Sequence, residues 1–391
     1  MTRLSTFADE WSAISQLLDE ALALLPQERA AWLESLCGDK VRHRATLRAL
    51  LQTQSDLEED DFLQTLPPLG PPAAQAIAAD LTEPSAGELV GPYRLIRELG
   101  RGGMGLVWLA ERSDGVAARR VALKLPRQAW GRALAERLAR EREILAGLEH
   151  EHIARLYDAG TDSLGRPFIA MQHIEGEAID AYCERRGLGL TDRIALLLQA
   201  MEAVAHAHAR LVVHRDLKPG NVLVSAEGRV TLLDFGVAKL LQDGLTGATA
   251  LTEFAGRALT PDYASPEQIR GEPLGTASDV YSLGVLAYEL LARAKPYRLT
   301  RGTAAELEES ITLVDPPAAS DAAPTPALRK ALRGDLDAIL GKALKKSVMD
   351  RYPSVDAFAL DLRRHLRGEP VLARPDSKAY RVAKFVGRHR L

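Results

Sequence analysis

Long apolar runs are missing from these 391 residues: no stretch of about eighteen is apolar enough to cross a bilayer as a helix. Cysteine is nearly missing too. Cys37 and Cys183 stand far apart, which excludes a disulfide framework and a cysteine metal pair, and fits a reducing compartment with both thiols inert. The first ten residues carry acids and no apolar core, so Met1 to Glu10 does not read as a secretory leader. Charge of one sign is also lacking. With 50 Lys plus Arg against 53 Asp plus Glu the net is -3, and nothing there asks for nucleic acid or an acidic polymer as partner. What is present is apolar content, 46% of residues, enough for a substantial core in a length that allows two or three domains.

Taken in order, the chain opens with a helical pattern. Trp11, Ile14, Leu17, Leu18, Leu22 and Leu25 recur at three- and four-residue steps; Pro26 starts a second helix with Trp32, Leu33 and Leu36, and Lys40 to Gln54 supplies a third. Residues 1–54 read as a small three-helix module, either a recruiter of a partner or a packing appendage. Its two tryptophans fall in phase with the leucines and so belong to its core. Residues 55–88 turn acidic and then Pro/Ala-rich, which denies helix and central strand and reads as a linker. Past Gly368 the chain is basic, with Arg374, Lys378, Arg381, Lys384, Arg388 and Arg390 against Glu369 and Asp376. This tail, 369–391, reads either as solvated or as the cytoplasmic flank of a membrane attachment lying past residue 391.

Chemistry concentrates between linker and tail. The run His214-Arg215-Asp216-Leu217-Lys218-Pro219-Gly220-Asn221 is followed, eighteen residues after Asp216, by Asp234-Phe235-Gly236, with apolar Val222 to Val224 and Val230 to Leu233 between them. Two acids and an amide around a short apolar hairpin hold polar groups over one site, as a magnesium ion and a hydroxyl nucleophile require. These residues resemble the catalytic loop and metal-binding Asp-Phe-Gly of the eukaryotic-like (Hanks-type) serine/threonine protein kinases of bacteria. The resemblance covers residues 89–368. It implies a bilobal α+β fold, with a small antiparallel sheet lobe carrying one helix, a large mainly helical lobe, and ATP in the cleft. Asp216 then serves as the base for a Ser or Thr hydroxyl, Lys218 neutralises the transferred phosphoryl group, and Asn221 and Asp234 hold Mg2+, or Mn2+ in its place. Lys218 followed by Pro219 is the serine/threonine form of the loop.

Upstream, Gly100, Arg101, Gly102, Gly103, Met104 and Gly105 form a glycine-rich turn. Such glycines also open dinucleotide-binding helices. Here the residues after Gly105 are strand-like, turn at Ser113-Asp114-Gly115 and return through Val121-Ala122-Leu123-Lys124, a hairpin rather than a helix. That order resembles the kinase loop that covers ATP phosphates with backbone amides, and it implies that Lys124 meets the α and β phosphates. The family pairs this lysine with a helical glutamate; the offset of nine residues before His150 selects Glu141, with Glu143 second. By the same resemblance Val107, Ala122 and Leu223 enclose adenine, Met171 is the gatekeeper, and backbone groups of Gln172, His173 and Ile174 hold the base, Gln172 standing where an acid is usual. His206 and His208, two apart on one helix, fall on different faces and do not read as a metal pair.

Regulation is implied by the same likeness. Arg215 would bind a phosphorylated activation segment, for which Thr246, Thr249 and Thr252 are the candidates. Thr260 would bond Asp216 and Lys218, Glu267 would pair with Arg351, and Asp279 would anchor the catalytic loop. Leu259 occupies a position where glycine is common. A scaffold pseudokinase would usually lack one of Lys124, Glu141, Asp216, Asn221 and Asp234, and all five are filled; a dehydrogenase would need a helix directly after the glycines. The expected protein is thus an ATP-dependent cytoplasmic kinase of bacterial signalling that is activated by autophosphorylation. Its expected substrates are proteins, transcription regulators among them. The alternative is an ATP-binding scaffold acting through the N-terminal helices.

Overall fold

The computed structural model describes residues 84–102, 105–114, 119–126, 147–163, 165–234, 261–297 and 303–375, with Trp32, Leu36, Arg44, Tyr380 and Lys384. The chain divides into two units, Met1–Thr82 and Glu83–Leu391. In the first, Trp32 and Arg44 are helical, Leu36 is buried, and Arg44 Nη2 donates to the Leu36 carbonyl at 2.8 Å. The remainder of the expected three-helix module and most of the linker lie outside the described residues.

The second unit begins with an antiparallel sheet of six strands: β1 (Leu89–Val90), β2 (Tyr93–Gly102), β3 (Gly105–Arg112), β4 (Arg120–Pro126), β5 (Leu156–Thr161) and β6 (Pro167–Gln172), in the order β1-β2-β3-β4-β6-β5. Side-chain alternation along β4 sorts its residues. Val121, Leu123 and Leu125 enter an apolar cluster with Tyr93, Trp108 and Phe168, which turns Ala122 and Lys124 to the opposite face. Lys124 lies across from Val107 in the β3–β4 register. The glycine-rich turn continues the sheet, β2 running through Gly102 and β3 resuming at Gly105. Gly105 has φ 132, a conformation L side chains rarely adopt. Strand β5 begins only at Leu156, although Ile153 to Asp158 reads as strand in the sequence, because Ile153 is buried in the core of the helical lobe and bridges in parallel to Leu232.

The larger lobe holds a second small sheet, β7 (Glu177–Ala178), β8 (Val222–Val224) and β9 (Val230–Leu232), between α1 (Ile179–Arg185) and α2 (Leu190–His208) and the later helices. Those are α3 (Pro266–Ile269), α4 (Thr276–Ala292), α5 (Ala304–Leu313), α6 (Ala319–Ala322), α7 (Pro326–Leu332), α8 (Asp335–Ala343) and α9 (Val355–Leu366). Side chains start several of them: Ser265 and Gln268 cap α3 reciprocally, and Thr303 and Ser354 accept from the backbone of Glu306 and Ala357. Helix α4 is buried on nearly every face, as its mostly apolar stretch from Val285 to Ala292, broken only by Glu289, demands. Gly284 lets α8 approach it, since a Cβ there would lie 2.9 Å from Ala343 Cβ.

Two stretches differ from expectation. Residues 315–327, whose Pro/Ala-rich composition reads as a surface loop, contain α6, with Ala319 and Ala323 buried; their small side chains pack onto α4, and Ser320 bonds Asp337 through both N–H and Oγ at 2.8 Å. After Gly368, Val371 is buried in the lobe's apolar cluster, so this part of the tail is not simply solvated. Among the described residues, no helix is long and apolar enough to cross a membrane.

Leu211, just after α2, is 93% exposed with φ 62. The left-handed region costs an L side chain roughly 1–2 kcal/mol, only partly offset by the looser unfolded chain that glycine brings. Leu211→Gly is expected to stabilise the protein by about 1 kcal/mol, read as a higher denaturant midpoint at an unchanged m-value.

Candidate active site

Between the small sheet and the helical lobe lies a cleft of about 580 Å³. The sheet contributes Gly100, Arg101, Gly102, Gly105, Val107, Ala122 and Lys124; the connection between lobes adds Met171, Gln172, His173 and Ile174. Asp216, Lys218, Asn221, Leu223 and Asp234 line it from the large lobe. Residues 110 positions apart thus share one wall: Lys124 Nζ meets Asp234 Oδ2 at 2.8 Å. Gly103, Met104 and Glu141, the expected partner of Lys124, lie outside the described residues. Leu99, Gly176, Gly220 and Leu233 also line the cleft, though none of them was among the expected site residues.

The loop from His214 to Asn221 is held from beneath. Asp279, fully buried in the first turn of α4, accepts the N–H of His214 at 2.7 Å through Oδ2 and that of Arg215 at 2.9 Å through Oδ1. Gln268 Nε2 donates to the Arg215 carbonyl at 2.8 Å. Between these clamps Arg215 keeps φ 66, and Asp234 keeps φ 47, two left-handed non-glycine positions that the surroundings must over-determine. His214 is fully buried, and burial pushes its pKa down, so the ring is neutral. Its Nδ1 accepts the Asp216 N–H at 3.3 Å, which assigns the proton to Nε2, donating to the Leu233 carbonyl at 2.8 Å. One ring therefore ties the loop to the strand end that precedes Asp234.

Within the loop, Lys218 Nζ lies 2.8 Å from Asp216 Oδ2, and Asn221 Nδ2 reaches the same oxygen at 3.0 Å and the Asp216 carbonyl at 2.7 Å. These bonds fix the carboxylate. They also orient the Asn221 amide, whose nitrogen is committed to Asp216 and whose oxygen is left as the ligand atom. That oxygen and the Asp234 carboxylate are hard donors of the kind magnesium takes, with phosphate and water oxygens completing its shell. Among the described residues no group of three or more His, Cys, Asp or Glu could hold a metal ion.

At the connection, the Gln172 N–H already donates to the Arg155 carbonyl at 2.8 Å, and its side chain accepts from the Arg155 N–H at 3.4 Å. Gln172 is thus committed to the sheet through its N–H. Burial lowers the pKa of His173 beside it. Farther away, Arg351 forms two bonds of 2.8 Å to the Glu267 carboxylate, and Ser278 Oγ adds a third at 2.7 Å, all buried. Thr246, Thr249, Thr252 and Thr260 lie outside the described residues.

One contributor escaped the sequence reading. His208, dismissed as half of a metal pair, places Nε2 2.7 Å from Asp279 Oδ2 and so helps fix the carboxylate that holds the loop. Its partner is 71 residues away, and no local pattern links them.

The protein kinase domain model matches residues 93–359. The probable serine/threonine-protein kinase SCO3848 of Streptomyces coelicolor is 34% identical over 289 residues, covering 72% of this chain and 41% of that protein. Serine/threonine-protein kinase PknB of Mycobacterium tuberculosis is 33% identical over 296 residues, covering 74% of this chain and 45% of its own length. The chain thus spans less than half of these curated relatives. Among solved structures, the crystal structure of the M. tuberculosis PknI kinase domain matches with a TM-score of 0.56 at 27% identity, over 73% of this chain and 99% of that one.

Proposed function

This chain belongs to the protein kinase family, and from that membership we propose that it transfers the γ-phosphoryl group of ATP to serine and threonine hydroxyls of proteins. The observation that supports the reading most is the convergence of Lys124, Asp216, Lys218, Asn221 and Asp234 on one cleft. Asp216 takes or orients the hydroxyl proton, its carboxylate aimed by Lys218 and Asn221. Lys124, here paired with Asp234, exchanges that partner for the α and β phosphates. Asn221 and Asp234 hold Mg2+ or Mn2+, which supplies charge neutralisation on the phosphates. Val107, Ala122 and Leu223 enclose adenine beside Met171, and the main chain at His173 and Ile174 holds it. The glycine-rich turn lays its amides over the phosphates. Catalysis is positioning and electrostatics, without a covalent enzyme intermediate.

Arg215 receives a phosphorylated segment, with Thr249 or Thr252 as the autophosphorylated residue, and Thr260 contacts Asp216 and Lys218. The proposed setting is the cytoplasm, with protein substrates that include transcription regulators, and with membrane attachment through a segment after residue 391. Incubation with γ-labelled ATP and magnesium, alone and with a basic protein acceptor, followed by phosphoamino-acid analysis and peptide mapping, tests this. Label on serine or threonine, including the 235–260 segment, is expected. Label confined to tyrosine, or none with either metal, would overturn it.

A further inference from the structure

The segment after α9 carries two sets of contacts that phosphoryl transfer does not use. Asp361, fully buried in α9, accepts the Tyr352 hydroxyl at 2.9 Å and the N–H groups of Leu372 and Ala373 at 2.6 and 2.8 Å. Asp335, the first residue of α8 and only 7% exposed, accepts Arg374 Nη1 at 3.3 Å and the Tyr380 hydroxyl at 3.0 Å on Oδ1. Its Oδ2 faces the Lys384 ammonium and His365 Nδ1, the latter at 3.5 Å. Tyr380 uses the other side of its hydroxyl to accept the Val371 N–H at 3.0 Å, and the Arg374 guanidinium lies 4.3 Å from its ring centre. Val371 itself is 3% exposed within the apolar core.

Each carboxylate therefore draws part of its compensation from this segment, Asp361 from Leu372 and Ala373 and Asp335 from Arg374, Tyr380 and Lys384. A buried carboxylate that loses its partners is strongly unfavourable, far more so than the pair was favourable. Release of the segment leaves Asp335 and Asp361 short of partners, which favours α8 and α9 opening at these ends to bring water to both carboxylates. Helix α8 in turn packs on α4 at Gly284, and α4 carries Asp279, which holds the catalytic loop.

We propose that residues 369–375, with Tyr380 and Lys384, form a strap latched onto Asp335 and Asp361, and that its release loosens α8 and α9, so that whatever grips this segment controls the rigidity of the helical lobe. Hydrogen exchange on the full chain, without nucleotide, reads this directly. In the wild type the amides of Val371, Leu372 and Ala373 are expected to exchange about a hundredfold slower than in an unstructured peptide. Asp335→Asn is expected to speed the amides of Val371, Leu372 and Ala373 about tenfold, together with α8 and the last turn of α9, while β2 to β6 are unchanged. Arg374→Met with Lys384→Met, which alters only the strap, should give the same pattern even where Asp335→Asn fails to fold. Unprotected amides in the wild type would overturn the proposal. So would a strap freed by the double substitution with α8 and α9 exchanging as before.

Discussion

Asp216→Asn will lower the rate of phosphoryl transfer roughly 10²- to 10⁴-fold, the span typical of losing a positioned proton acceptor. The substitution keeps shape and volume, so the loop has no steric reason to move; its anchors at Asp279, Gln268 and Leu233 involve the backbone of His214 and Arg215 and the His214 ring, not the Asp216 carboxylate. What changes is charge. The oxygen that Lys218 and Asn221 both address becomes part of a neutral amide, which neither attracts the ammonium as strongly nor accepts a proton. Nucleotide affinity should therefore survive, because Lys124, Val107 and Ala122 are untouched. Single-turnover transfer measured beside fluorescent-nucleotide binding separates the two. A transfer rate within about tenfold of wild type would remove Asp216 from the chemistry.

The loop from His214 to Asn221 was legible because its residues are adjacent in sequence, and a short hairpin brings Asn221 and Asp234 to one wall. Lys124 was legible through the resemblance of its strand and glycine-rich turn to the kinase loop, and the alternation that puts Leu123 and Leu125 in the core agrees with a lysine on the cleft face. What the sequence concealed lies in pairings across long separations. His208 and Asp279 are joined only once α2 and α4 pack, and Gln268 reaches Arg215 across 53 positions. Residues 315–327 misled for a different reason. Proline and alanine suggest a loop, yet alanine's small side chain is what lets α6 settle onto α4. The basic tail misled through composition: its charge count says nothing of Asp335 and Asp361, which give those cations and amides a buried seat.

Breaking the Glu267–Arg351 pair will be the most damaging single change outside the cleft. Arg351 is 3% exposed and joins three places at once, with bonds to the Lys345 and Lys346 carbonyls, to the Ala277 carbonyl at the start of α4, and to Glu267 in α3. Glu267→Gln leaves its guanidinium buried without a counter-charge, an expected loss of roughly 3–5 kcal/mol. Burial alone pushes the Glu267 carboxyl upward, but the Arg351 bonds and the Ser278 hydroxyl outweigh it and hold the pKa at about 2, below its ordinary 4.5. A depressed carboxyl pKa contributes stability that is complete above 4.5 and is lost as pH falls toward 2. Wild-type stability should therefore drop across that window, while the Gln variant, with no carboxyl to protonate there, shows a flatter profile in denaturant titrations. Parallel profiles would refute the assignment. Replacing both partners, Glu267→Leu with Arg351→Met, should recover much of the stability, since an apolar pair needs no counter-charge. Activity need not follow. Helix α3 also carries Gln268, whose bond to the Arg215 carbonyl holds the catalytic loop, so a stable but slow double variant would show that the ion pair sets the position of α3 rather than merely its stability.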